Sequence, residues 1–126
     1  MIDCDPGRAV QAQTSFDASD PMFAGHFPGN PIVPGVILTE ALAQAAGMAA
    51  ASGYPENGQP LFLLSAIRTM KFFQAVRPGE RIDLRAEKIA ASDTLFQFKV
   101  TASVEGETVA EGQLVLSLTA QPGQTE

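Results

Sequence analysis

His26 and Glu40 are the residues of this chain best suited to moving protons, and they bracket a stretch built to hold its shape. The segment reads His26-Phe-Pro-Gly-Asn-Pro-Ile-Val-Pro-Gly-Val-Ile-Leu-Thr-Glu40, with three prolines and two glycines. His26 is the only histidine among 126 residues. A neutral imidazole titrates near working pH and can take up a proton. Glu40 lies on an apolar helix whose other polar residues between Val36 and Ala51 are Thr39 and Gln44. Burial there would disfavour the ionised carboxylate and favour the protonated form that a proton donor needs. Two plainer readings stand beside these. His26 could be a structural histidine satisfied by backbone groups, and Glu40 with Gln44, one turn apart, could be a solvated stripe.

The elements that would position this pair follow from the pattern around it. Arg8–Phe16 offers a weakly alternating first strand, and Asp17–Pro34 is a long Pro/Gly loop of the kind that usually carries function. Gly35–Ser52 reads as a buried helix, apolar around nearly its whole circumference. Seven alanines and Gly47 keep it slim enough for another element to approach closely. Gly53–Pro60 is turn chemistry. Leu61–Phe72 and Arg81–Ile89 are expected strands. Phe96, Phe98, Val100, Ala102 and Val104 then alternate strictly with polar residues, as do Ala110, Gly112, Leu114, Leu116 and Leu118 after Glu105-Gly106. That pattern predicts a hairpin. The expected architecture is α+β, one helix packed on one antiparallel sheet, in a single domain over residues 1–126.

Composition narrows the function. The net charge is −6 and the sequence pI about 4.6, which argues against nucleic acid or an anionic membrane as partner. Cys4 is the only cysteine, so an internal disulfide and a thiolate metal cluster are both excluded. It reads as an incidental thiol near the terminus. No apolar run is long enough to cross a bilayer as a helix, and the N-terminus shows no signal-peptide pattern. A soluble cytoplasmic protein is the expectation. Six of the eight basic residues (Arg68, Lys71, Arg77, Arg81, Arg85 and Lys88) fall between 68 and 88. They form either a basic patch suited to an acidic partner or a set of solvated strand faces.

The pattern H-F-P-G-x-P-x-x-P-G followed by Glu40-Ala-Leu-Ala-Gln44 resembles the FabZ-like β-hydroxyacyl–acyl carrier protein dehydratases, which have the hot-dog fold. Met70-Lys-Phe-Phe-Gln-Ala-Val-Arg-Pro-Gly79 and Val104-Glu-Gly-Glu-Thr-Val-Ala-Glu111 resemble two later segments of that family, with Glu80 where it usually has aspartate. The resemblance runs from about Arg8 to Leu118. It implies an antiparallel sheet wrapped around one long central helix, and dehydration of (3R)-hydroxyacyl-acyl carrier protein to the trans-2-enoyl product without metal or cofactor. By resemblance, His26 is the base at C2, and Glu40 the acid for the leaving hydroxyl. The Gly35 amide would be the oxyanion donor, the Ile32 carbonyl would orient His26, and Gln44 would hold Glu40. A glutamate at position 40 favours plain dehydration, since the sister isomerising enzymes carry aspartate there.

The resemblance further implies a homodimer in which the histidine of one chain meets the glutamate of the other; a trimer of such dimers is a further assembly it allows. It also implies a non-trans His26–Phe27 peptide. Arg68, Lys71 and Arg77 would dock the acyl carrier protein. The family's usual opening arm, P-H-R-x-P-F-L-L-V-D-R, has no counterpart here, so a short form is expected, with the acyl chain left open. A hot-dog thioesterase, with Glu40 activating water, is the alternative. A non-catalytic acyl-binding module is a third reading.

Overall fold

Glu105 and Gly106 both take positive φ, 52° and 82°, the combination that lets a two-residue turn match the twist of the strands it joins. They connect β5 (Leu95–Val104) to β6 (Glu107–Leu118). The two pair antiparallel in the register the alternation predicts, with Phe98 opposite Leu114 and Val100 opposite Gly112. The structure is a computed structural model and describes residues 3–20, 32–55 and 61–119.

Ahead of that hairpin lie β1 (Asp3–Asp5), β2 (Ala9–Thr14), α1 (Gly35–Ala51), β3 (Phe62–Phe72) and β4 (Ile82–Ala91). The strands form one antiparallel sheet in the order β1-β2-β4-β5-β6-β3. This is the hot-dog layout, with the sheet curled around α1. The strand expected over Arg8–Phe16 is present as β2. The short β1 was not expected; it pairs Cys4 with Val10 and presents exposed residues throughout.

α1 packs most on β4, then on β2, β5 and β3 in similar measure, and less on β6. Leu38, Leu42, Ala45, Ala46, Ala49 and Ala50 face a core that includes Ile82, Ala86, Phe98, Val100 and Leu114. Each large side chain fully buried in this way contributes about 1.5–3 kcal/mol of transfer free energy. Alanines dominate the helix's inner face because the curled sheet leaves little depth there.

β3 is the edge strand, and two irregularities shape it. The register slips between Leu64 and Ala66 and again between Ile67 and Thr69. Each slip inserts one extra residue, Ser65 and Arg68, and restores alternation beyond it. As a result Phe62, Leu64, Ile67, Met70 and Phe72 share the face of their buried partners on β6. The second bulge presses β3 onto Gly112. A Cβ built on Gly112 would collide with the Thr69 carbonyl oxygen and Met70 Sδ, and would lie 3.0 Å from Met70 Cα. Backbone cannot yield as a side-chain tip can. Gly112→Ala should therefore destabilise the fold by about 1–3 kcal/mol, read as a lower midpoint of thermal or denaturant unfolding.

Candidate active site

Pro34 begins the helix from an extended conformation (φ −60°, ψ 146°), and no side chain caps it. The first amides of α1, Gly35's among them, are therefore left without intrahelical partners at the positive end of the helix dipole. The approach to that end is pinned from below, where the Val33 N–H donates to the Val76 carbonyl at 2.7 Å. One turn on, Thr39 Oγ1 donates to the Gly35 carbonyl at 2.9 Å, which holds the first turn closed.

From this start, one face of α1 runs Gly35, Val36, Thr39, Glu40, Ala43, Gln44 and Gly47, and an open groove of about 700 Å³ separates it from β3. The opposite wall is Phe62, Leu64, Ile67, Met70 and Phe72, with Leu116 behind them. Among the described residues Glu40 is the only ionisable side chain in that lining. The strand runs antiparallel to the helix along the groove, so Gly35 lies by Phe72 and Gly47 faces the end that holds Phe62. At the first end the Phe72 ring rests on the glycine: a Cβ on Gly35 would sit 3.1 Å from Phe72 Cζ.

The structure brings together Gly35, Glu40 and Gln44 of the expected site. In the single chain Glu40 and Gln44 are both exposed, so the carboxyl faces the groove without being enclosed by it. Among the described residues no hydrogen bond joins Gln44 to Glu40, contrary to the expected holding role; the two side chains share a face only. Ile32 is placed just before the helix. His26 and the His26–Phe27 peptide lie outside the described residues, as does any pairing of His26 with the Ile32 carbonyl.

The basic residues do not make one continuous patch. Arg68 sits at the second bulge of β3, and Lys71 pairs with Glu111 on the outer face of the sheet. Arg85 and Lys88 belong to β4, with β5 and β6 in between, roughly 14 Å across at the usual strand spacing. Lys88 lies instead over the Phe96 ring, 5.8 Å from its centroid. Arg77 is in the loop after β3, where its N–H donates to Glu80 Oε1 at 2.7 Å.

What the sequence reading missed is the apolar wall itself. The two extra residues disguise its alternation: the inward side chains fall at 62, 64, 67, 70 and 72, with period two at the ends and three across each bulge. A gap of three between otherwise alternating apolar residues was the available signal.

The family model of ApeI-like dehydratases matches residues 3–113. The chain belongs to that dehydratase family. It is 41% identical over 119 residues to the 3-hydroxyacyl-acyl-carrier-protein dehydratase FabZ of Ruminiclostridium cellulolyticum, covering 94% of this chain and 83% of that one. Among solved structures it is similar to the dehydratase heterocomplex ApeI:P from Xenorhabdus doucetiae, with a TM-score of 0.71 at 22% identity over 93% of this chain and 94% of that one. A hypothetical thioesterase from Streptococcus pneumoniae, solved with coenzyme A, superposes at a TM-score of 0.76 with 16% identity, covering 96% and 89%. At such identities the superpositions establish the fold alone.

The Gly35–Phe72 contact involves the tip of a side chain that can move by a few tenths of an ångström. Gly35→Ala should accordingly cost less than about 1 kcal/mol, in contrast to Gly112→Ala, and parallel thermal melts of the two variants check this.

Proposed function

We propose that this dehydratase removes water from (3R)-hydroxyacyl groups carried on acyl carrier protein, giving trans-2-enoyl thioesters. The observation that carries the reading is Glu40, the only ionisable side chain among the described residues of an apolar groove, beside the start of α1. His26 takes the C2 proton, and the developing charge on the thioester oxygen is met by the Gly35 amide. Glu40 protonates the departing C3 hydroxyl. A positioned donor of the Gly35 kind is typically worth about 3 kcal/mol of barrier.

The active unit is a homodimer with shared sites. Its support is the state of β3 in the single chain. Leu63, Leu64, Ile67 and Phe72 are 44–56% exposed along a sheet edge, and an edge of unpaired backbone groups with apolar side chains invites another strand. Pairing β3 with its copy would continue the sheet and cover the groove, enclosing Glu40. His26 of one chain would then serve Glu40 of the other. Arg68 and Lys71 on the outer face of β3, together with Arg77, would receive the acidic carrier protein near the same edge.

Glu40→Gln keeps the shape and removes the donor, and it should lower turnover of a hydroxyacyl-carrier substrate by about 10²–10⁴-fold, followed by enoyl absorbance. Near-normal turnover would remove Glu40 from the mechanism. Free thiol released without enoyl absorbance would identify a thioesterase instead.

Shared sites have their own signature. His26→Ala and Glu40→Gln, each inactive alone, should regain roughly one quarter of wild-type activity when co-refolded. Half of the randomly formed twofold dimers are mixed, and each mixed dimer has one intact site of two. No recovery in verified mixed dimers would show that each chain carries its own complete pair.

A further inference from the structure

Gly47 is in the middle of α1, where a glycine weakens a helix by about 0.5–1 kcal/mol relative to alanine. Close approach of another element is the usual reason to accept that cost, and it was the expectation from sequence. The structure offers no such neighbour among the described residues: a Cβ built on Gly47 meets nothing within 4 Å. The missing side chain opens onto the groove that Glu40 lines.

The groove has a direction. At the Gly35 end the Phe72 ring lies against the helix start, where the thioester would sit. From Glu40 towards Gly47 the helix wall is formed by Ala43 and Gln44 and then drops at Gly47, while the strand wall is apolar. The far end is held by Phe62, which is itself braced on two sides. Its ring stands edge-on to Phe96 with centroids 5.2 Å apart and is tilted against Tyr54 at 6.0 Å. Such pairs add about 0.5–1.5 kcal/mol beyond their burial, and Phe96 is in turn covered by Lys88. Phe62 is a stop that does not swing freely.

We propose that Gly47 and Phe62 set the acyl length this enzyme accepts, and that the substrates it favours are medium-chain 3-hydroxyacyl groups of about ten to twelve carbons. The inference rests on the dehydratase reading, which puts C3 at Glu40. Seven helical residues separate Glu40 from Gly47, or about 10 Å at 1.5 Å per residue. An extended chain advances about 1.2 Å per bond, from the 3.6 Å spanned by three backbone bonds. Seven to nine bonds beyond C3, the reach of a ten- to twelve-carbon chain, thus span about 8–11 Å and bring the chain end to Gly47 and against Phe62. Shorter chains leave this apolar space unfilled, and longer ones meet the Phe62 ring.

The test is kcat/KM on carrier-linked 3-hydroxyacyl substrates of four, ten and sixteen carbons for the wild type, Gly47→Leu and Phe62→Ala. Leucine is a good helix former and fills the open space, so Gly47→Leu should lower the ten-to-four-carbon ratio by ten-fold or more. Phe62→Ala should raise the sixteen-to-ten-carbon ratio by a similar factor. A variant that merely folds poorly would lower all lengths together and leave both ratios in place. Unchanged ratios in active variants would overturn the proposal while leaving the dehydratase reading intact. Loss at all lengths together with loss of the dimer in Gly47→Leu would make position 47 a partner contact, and would equally overturn it. Absence of turnover by the wild type on every length would overturn the reading beneath it.

Discussion

β3 presents five inward apolar side chains to a helix face too slim to cover them. The cause is a conflict of dimensions. The sheet must curl tightly to bury the inner face of α1, where Ala45, Ala46, Ala49 and Ala50 lie beside Leu38 and Leu42. On the side turned to β3 the helix carries only small or polar side chains beyond Val36. The space left over becomes the groove, and the strand on its far wall becomes an edge with two exposed faces. Binding space and unfinished edge thus have one origin.

Glu40 sits where that conflict is sharpest. On a helix buried around its whole circumference, a carboxylate would have to be neutralised or paired, because isolated buried charge is severely disfavoured. On the groove face it can remain hydrated while the chain is alone and lose its water only when the groove is covered. Electrostatic effects strengthen as water leaves, so the proposed pairing of β3 with a copy would in one step satisfy that edge and dry the surroundings of the carboxyl. Folding tolerates Glu40 because the fold is incomplete at that point.

The sequence made the regular parts of this design legible. Alternation from Phe96 to Val104 and from Ala110 to Leu118 specified both strands and their pairing, while the register slip at Val109 next to the turn was not signalled. Apolar saturation from Val36 onward specified the helix to within a residue of its observed end, but not its burial: only one face is buried, and Val36 and Met48 are exposed in the single chain. Glu40, Gln44 and Gly35 could be placed near one another because helical spacing fixes them. What was not legible depends on contacts distant in sequence. The inward face of β3 is set by bulges at Ser65 and Arg68, whose cause is pairing with β6 some fifty residues later. The scatter of the basic residues is invisible in a run from 68 to 88, because two strands from elsewhere in the chain come between β3 and β4. Gly47 misled for a related reason: a small residue signals room, and only the fold tells whether that room is filled by protein or left for a ligand.

The superposition with a thioesterase sharpens what the architecture can and cannot decide. A curled sheet, one helix and a groove against the edge strand suit any chemistry on an acyl thioester, because all such substrates share an apolar tail and a polarised carbonyl. The fold supplies an apolar slot that begins beside a helix start. The reaction is then selected by a very few groups along the helix: a glutamate five residues from its start can give a proton to a hydroxyl at C3, or can activate water at C1 if the tail sits one step deeper. That difference is about two bonds of acyl chain, smaller than one helical turn. Whatever fixes the end of the tail therefore also fixes which carbon faces Glu40. The stop at Phe62 and the opening at Gly47 govern reaction register as well as chain length, which is why the far end of the groove bears on the chemistry at its near end.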